Sequence, residues 1–441
     1  MQLSTLAAGE ATSTTVDRVF RKIAWRLMPI LFLGYLFAFL DRINVGYAQL
    51  QMKDTLGFSD AVYGLGAGIF FLSYMLCEVP SNMLFERMGA RLTFLRIMLL
   101  WGLTSAATMF VQTPLQFYIV RFLLGVFEAG FFPGVILYLS YWFPPEWRGR
   151  ATSAFLFALP IAGVVGGPLS GAIIRLMDGT GGLAGWQWCF LLEGLPTALI
   201  GLLCHRFLCD KPGLASWLSA DEKQIVEAAL PAHEPSSRHG WQQVREVMTE
   251  RRVHALGLIY FALTSGSYAF AFWLPAIIKG LGVNDPLQIG WYSLPPYVMG
   301  AVGMCIVSWN SDIRGERRWH VALMCLLASI ALATSTLAGR SLGTSLLLLS
   351  IANFGLMGAG AVFWSVAPTA LRARNVAVGI ALVSSLGILG GFFSPTLIGV
   401  ARSVTGSTSD GLLLISLMLL TAGAVTVRTL DRGNPAQASA K

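Results

Sequence analysis

Apolar residues along the chain gather into about a dozen blocks of about 18 to 26 residues, each long enough to cross a hydrocarbon layer of ~30 Å as a helix rising ~1.5 Å per residue. The blocks fall at 27–46, 63–82, 92–110, 115–139, 151–176 and 186–203, and again at 253–278, 288–309, 321–337, 346–368, 376–401 and 412–427. This pattern predicts an all-α polytopic membrane protein with twelve transmembrane helices. One long polar stretch, 206–252, divides the spans six and six. The chain therefore reads as an N-terminal six-helix bundle over 1–205, a cytoplasmic central loop over 206–252 and a C-terminal six-helix bundle over 253–441. Inside the loop, Ser219-Ala-Asp-Glu222 has the form of a capping box, opening a short helix that runs to about Leu230 and stops before Pro231. The polar segment before Trp25 carries no short apolar region with a small-residue cleavage site, so the first span is expected to be retained.

Composition agrees with this pattern. Of 441 residues 55% are hydrophobic and only 12% charged, where a soluble domain carries about 25% charged residues; the mean hydropathy is +0.64. The formal charge of +8 would suggest a nucleic-acid partner in a soluble protein. Here it reports topology. With both termini in the cytoplasm, 23 of the 31 Lys and Arg lie inside and five (Lys53, Arg175, Lys279, Arg340, Arg402) outside, while Arg42, Arg96 and Arg121 fall within spans. That bias predicts an N-in, C-in orientation and leaves no charge that calls for nucleic acid. The six cysteines (Cys77, Cys189, Cys204, Cys209, Cys305, Cys325) show neither metal spacing nor a pairing pattern and read as packing residues, so no metal and no cofactor are expected.

The two halves repeat. Pro144, Arg148, Arg150, Gly166 and Gly167 recur 224 residues later as Pro368, Arg372, Arg374, Gly390 and Gly391, and Glu86, Gly89 and Arg91 recur 226 residues later as Asp312, Gly315 and Arg317. Because the matches include Arg, Pro and acids as well as Gly, the chain reads as a tandem duplication of a six-span unit. Two pseudo-symmetric six-helix bundles with a cavity between them form the architecture of alternating-access transporters.

Ionisable residues within spans cost several kcal/mol unless they face protein or water, so they are the first functional candidates. They are Asp41 and Arg42 in span 1, Glu78 in span 2, Arg96 in span 3, Arg121 and Glu128 in span 4, and Glu193 in span 6; the second half has almost none. Asp41 lies about 14 residues along an outward-running span, which leaves roughly 9 Å to the outer surface, and Arg121 lies at the same depth in an inward-running one. Glu128, seven residues on, shares the Arg121 helix face about 10 Å deeper. Glu78, Arg96 and Glu193 sit nearer span ends, where snorkelling or interfacial pairing accounts for them. Tyr74, Trp364 and Ser384 fall at cavity depth in spans 2, 10 and 11. A purely structural ion pair gains little over apolar packing, so four charged groups on spans 1 and 4, three of them in one layer, point to a substrate and ion pathway.

Several motifs together resemble the anion:cation symporter family within the major facilitator superfamily. They are Leu40-Asp41-Arg42, Glu78-Val-Pro-Ser-Asn82 leading into Glu86-Arg87-Met-Gly89-Ala-Arg91, and Arg121-Phe-Leu-Leu-Gly-Val-Phe-Glu128. Asp210-Lys-Pro, Trp217-Leu, Phe272-Trp-Leu-Pro275, Phe363-Trp364 and Gly387 to Gly391 with Pro395 continue the series in the expected order over nearly the whole chain. The resemblance implies a proton-coupled importer of organic anions such as tartrate, sugar acids and aromatic acids, residing in a bacterial inner membrane as a monomer. By the same resemblance Asp41 and Glu128 are the protonatable acids, Arg42 and Arg121 the charged cavity residues, and Tyr74 and Trp364 the cavity aromatics. Where many members carry Asn before Ser in span 11, this chain has Ser384 before Ser385, which removes a substrate amide contact.

In the mechanism this implies, protonation of Glu128 and Asp41 cancels their pull on Arg121 and Arg42, which then bind the anion. The motifs over Glu86, Arg87, Gly89 and Arg91 and over Asp312, Gly315 and Arg317 would latch the outward-open state. A uniporter or sodium-coupled carrier is the alternative within transport. A membrane enzyme is disfavoured because all five histidines (His205, His233, His239, His254, His320) fall in or beside cytoplasmic segments, and a sensor because there is no additional soluble domain.

Overall fold

A computed structural model describes residues 2–230, 241–337, 341–371 and 376–430; Arg372 and Arg374 of the sequence repeat lie outside these, as does the side chain of Glu86. The described helices are α1 (Gln2–Leu56), α2 (Asp60–Met88), α3 (Ala90–Ala107), α4 (Pro114–Glu128), α5 (Phe131–Trp142), α6 (Pro145–Leu156), α7 (Ala158–Leu176) and α8 (Gly185–Phe207), followed by α9 (Ala220–Ala229) and α10 (Trp241–Met248). The second half comprises α11 (Arg251–Gly280), α12 (Pro286–Arg314), α13 (Arg318–Leu337), α14 (Leu342–Val366), α15 (Val376–Thr405) and α16 (Ser409–Thr429). Eleven spans are long and apolar enough to cross a membrane, counting α4 with α5 and α6 with α7. The twelfth is α12, whose apolar residues are diluted by Trp291, Tyr292, Ser293, Pro295, Pro296 and Tyr297, and which packs between α7 and α14.

Two spans expected as single helices are broken, and proline explains both. Pro133 has no N–H to give the carbonyl of Ala129, so it fits only in the first turn of a new helix. Helix α4 accordingly ends at Glu128, Gly130 turns the chain at φ 90°, and α5 starts at Phe131. Pro160 holds the same place in the first turn of α7, after the break at Phe157. The first break leaves Glu128 as the last residue of its helix. The start of α4 is fixed by a complete capping box between Thr113 and Gln116 with Pro114 in the first turn. Ser219 and Glu222 form the capping box of α9, as the sequence predicts.

The two halves meet along α2 with α15, α7 with α12 and α1 with α11. Most of the bonds between them gather at one end, distal to the chain termini and to the central loop. There Arg175 pairs with Asp285 at 3.3 Å, Lys279 with Asp54 at 3.7 Å and Arg402 with Asp60 at 3.4 Å. The Phe272 carbonyl, on α11, accepts from Gln49 Nε2 at 2.8 Å and from the Tyr63 hydroxyl at 3.0 Å. Glycines let the backbones touch: a side chain on Gly64 would strike the Pro395 carbonyl and Gly399, and one on Gly290 would strike the Gly167 carbonyl and Pro168. Gly64 precedes Gly89 by the same spacing as Gly290 precedes Gly315, so the duplicated unit supplies both seams. The molecule is thus closed at its distal end.

Candidate functional site

Asp41 and Arg42 are neighbours on α1, so their side chains leave the helix about 100° apart and serve different surroundings. Arg42 turns toward the space between the halves. It donates Nε and Nη2 to Glu128 Oε1 at 2.9 and 2.5 Å, and Nη1 to the hydroxyl of Tyr268, on α11, at 3.2 Å. One guanidinium therefore joins an acid of the first half to a phenol of the second. The guanidinium also lies over the rings of Phe70 and Tyr74, 5.5 and 5.4 Å from their centres. Glu128 is buried, and its Oε2 has no hydrogen-bond partner. Its charge is carried by Arg42 through short charge-assisted bonds, the strong kind in a low-dielectric interior.

Asp41 turns the other way, into the first half. It accepts from Trp101 Nε1 at 2.8 Å, from the Ser105 hydroxyl and from Asn44 Nδ2 at 3.3 Å. Asn44 stands three residues after Asp41 on the same face of α1, and Trp101 and Ser105 stand four apart on one face of α3. Arg121 is 1% exposed; its Nε donates to the Gly66 carbonyl at 3.3 Å, its guanidinium lies 5.1 Å from the Phe70 ring centre, and its Nη2 is buried without a partner. Arg121 lies within electrostatic reach of Asp41 and Glu128. The shared layer expected from helix depth thus becomes one ion pair, Arg42 with Glu128, flanked by an acid and a cation that are each held by other groups.

The remaining cavity candidates are aromatic or small. Tyr74 is buried beside Phe70. Trp364 is half-buried and meets Tyr260 edge-on at 4.8 Å, while Tyr260 stacks on Phe363 at 5.6 Å. Ser384 is half-buried on α15. Phe71 and Tyr268 close the gap between the halves beside Arg42, their ring centres 4.3 Å apart.

The two loop motifs are each tied within their own half. Gly89, at φ 79°, brings the chain close to Asp210, which accepts from the Arg91 backbone N–H at 2.9 Å, while the Arg91 guanidinium donates to the His205 carbonyl at 3.0 and 2.8 Å. Arg87 is exposed at the end of α2. In the second copy Gly315 turns at φ 61°, and Arg317 donates to Asp312 at 2.8 Å and to the Ser365 hydroxyl. Asp210, the first residue of the Asp-Lys-Pro motif, is thereby an anchor for the loop between α2 and α3. Beside it Trp217 stacks on Trp142, and Lys22 pairs with Glu222 at 2.7 Å, so the first part of the central segment is fastened to the first half.

Sequence reasoning missed three participants. Glu193, expected near a span end, is 1% exposed inside the first half, where its Oε1 accepts from the Ser170 hydroxyl at 2.8 Å. Helix α8 reaches Phe207, so Glu193 sits well within it. Tyr268 and Asn44 carry no charge and went unmarked, although Asn44 follows Asp41 at helical spacing. Among the described residues no group of His, Cys, Asp and Glu is arranged to hold a metal ion.

The family model described as "Major Facilitator Superfamily" matches residues 31–395. The chain is 42% identical over 418 residues to a protein of Agrobacterium vitis named as a tartrate transporter, covering 95% of this chain and 96% of the relative. It is 43% identical over 394 residues to a protein of Pseudomonas putida named as the metabolite transport protein NicT, covering 89% and 90%. Among solved structures it resembles a bacterial homologue of the lysosomal transporter Spinster in an inward-facing, unoccupied conformation, with TM-score 0.77 and 17% identity over 94% of this chain and 99% of that one.

Proposed function

Since the chain belongs to the Major Facilitator Superfamily and is a multi-pass membrane transporter of small molecules, we propose that it imports a small organic carboxylate together with protons across a bacterial inner membrane. The substrate is of the tartrate, sugar-acid or aromatic-acid class, and both termini are cytoplasmic, so the closed distal end faces outward. The carrier works as a monomer. Residues 1–205 and 253–441 rock about the site as two bundles joined by 206–252.

The observation that carries this reading is the Arg42 bridge between Glu128 and Tyr268. While Glu128 is ionised it holds two of the Arg42 N–H groups. A proton on Glu128 removes the charge that holds them, and a substrate carboxylate can then accept the same pair of donors with Arg121 as second cation. Proton and anion therefore assist each other's binding, a reciprocal coupling that favours loading both together. Asp41 is the second protonatable acid; its proton would loosen the Trp101 and Ser105 contacts that fix α1 against α3. Tyr74, Trp364 and Ser384 shape the cavity around the anion, and the Gly89 and Gly315 motifs latch the outward-open state, exchanging their present contacts within each half for contacts between halves.

The test is uptake of radiolabelled tartrate, sugar acids and aromatic acids into proteoliposomes. An inward-directed proton gradient should drive accumulation of at least one class, and a proton uncoupler should abolish it. Uptake that ignores the uncoupler indicates a uniporter, and uptake that needs sodium a sodium-coupled carrier; either result overturns proton symport.

A further inference from the structure

Behind Asp41, away from the cavity, lies a second carboxyl that the mechanism above does not use. Glu193 of α8 is 1% exposed, accepts from the Ser170 hydroxyl through Oε1 at 2.8 Å and has the Cys189 thiol 3.5 Å away. Its Oε2 is buried without a partner. Asn44 stands between this carboxyl and Asp41, giving Nδ2 to Asp41 at 3.3 Å with its side chain also against Glu193. The Asn44 Oδ1 is buried without a partner as well.

Two carboxyls that face each other across one amide in a low-dielectric interior cannot both stay ionised at small cost. Their donor sets differ. Asp41 receives three, from Trp101, Ser105 and Asn44, a number suited to a carboxylate. Glu193 receives the Ser170 hydroxyl and a weak donor, the Cys189 thiol, both on Oε1, and no Lys or Arg forms an ion pair with it among the described residues. A hydrogen on Glu193 Oε2 would turn an unpartnered acceptor into a donor, and two neighbours, Asn44 Oδ1 and the Tyr47 hydroxyl, are themselves buried without a partner. The other titratable groups facing Glu193 are Cys189 on α8 and Tyr47 on α1, neither of which supplies a positive charge.

We propose that Glu193 holds a proton in this distally closed state, donating it toward Asn44 while Asp41 is ionised, and that it loses this bonding when the seam between α7 and α12 opens. The seam enters through Ser170, which lies between Gly167 and Gly171, both of which meet the backbone of α12. Parting α7 from α12 moves the one hydroxyl that holds Glu193. The proton taken up or released is then exchanged with Asp41 across Asn44, which would make Glu193 a store beside the coupling acid. This extension rests on the proton-coupled reading, but its occupancy can be measured without transport.

The experiment is infrared difference spectroscopy on the purified full-length carrier in lipid, reading the C=O stretch of protonated carboxyls across a pH titration. Wild type should show a protonated-carboxyl band at neutral pH that Glu193→Gln removes. Ser170→Ala, which deletes the hydroxyl on Oε1, should keep the band but move its frequency, and this variant serves if Glu193→Gln does not fold. An unchanged band in Glu193→Gln, or an unmoved one in Ser170→Ala, overturns the proposal. If Glu193→Gln removes the band while uptake ignores the proton gradient, the coupling scheme falls and the protonated Glu193 stands.

Discussion

The two halves descend from one repeated unit, yet their interiors differ in kind. The first buries Asp41, Arg121, Glu128 and Glu193 and half-buries Arg42, while among the described residues of the second the buried polar groups are Ser, Thr and Asn. What the second half brings to the Arg42–Glu128 pair in the structure is one phenol, Tyr268; Trp364 and Ser384 belong to the proposed cavity around the anion. Duplication conserved the frame, visible in the matched glycine seams and loop motifs, and left charge chemistry to one copy. A practical reason is electrostatic: charges confined to one half pair within it at a fixed geometry, so rocking the other half need not pull an ion pair apart in a low-dielectric space. At the site itself the second half meets the first through one charge-assisted hydrogen bond, from the Arg42 guanidinium to the Tyr268 hydroxyl.

Removing charge from the first half should have the largest effect. Glu128→Gln mimics the protonated acid, so gradient-driven accumulation should vanish while binding and exchange persist; accumulation at the wild-type level would remove Glu128 from the coupling. Next in size, Arg121→Lys keeps the charge but loses the planar pair of donors. Losing one charge-assisted hydrogen bond, about 1.5 to 3 kcal/mol, should weaken substrate affinity roughly 10- to 150-fold. Normal affinity in Arg121→Lys, with lowered melting temperature in Arg121→Ala, would make Arg121 a helix brace instead.

Smaller effects should follow in the second half. Tyr268→Phe removes the bond that the Arg42 guanidinium donates to the phenol, about 1.5 kcal/mol, the low end for a bond with a charged partner as its 3.2 Å length implies, and should shift affinity by roughly 10-fold, read by calorimetry. A larger loss would mean that the second half carries more of the recognition than its lack of charge implies. The frame is tested by Gly290→Ala, whose new methyl meets the Gly167 carbonyl. Labelling of a cysteine placed at the distal end should rise as closure is disfavoured, with substrate affinity at the cavity little changed. Smallest is the surface tie of Lys22 to Glu222, which with the Ser219 N–H holds the Glu222 carboxyl below the usual carboxylate range. A depressed carboxyl stabilises the fold above its ordinary range and stops doing so as pH falls through its folded value. Lys22→Ala should therefore cost a little melting temperature at neutral pH and nothing in acid.

The frame was legible because it is written in periodicity and spacing. Twelve apolar blocks, the division at 206–252 and the repeated Gly89 and Gly315 motifs are all read without knowing which helices touch. The site was legible only where it is charged. Depth along a helix put Asp41, Arg42 and Arg121 in one layer, but side-chain reach set the pairing: Arg42 extends to Glu128, and Asp41 turns to Trp101 and Ser105. Glu193 looked peripheral because it was placed by its distance from a span end, whereas its burial is set by the side it presents, toward Ser170 of α7, which hydropathy does not report. Tyr268 and Asn44 are uncharged, and only the fold brings them to a charged partner.

The central claim is that a proton on Glu128 frees Arg42 for the anion, and proton uptake on substrate binding tests it most directly. Calorimetry of carboxylate binding to the purified carrier, repeated in buffers of different ionisation enthalpy, counts the protons taken up. Wild type should take up protons as it binds, and Glu128→Gln should take up fewer while binding the same anion. Equal uptake by the two proteins would contradict the account.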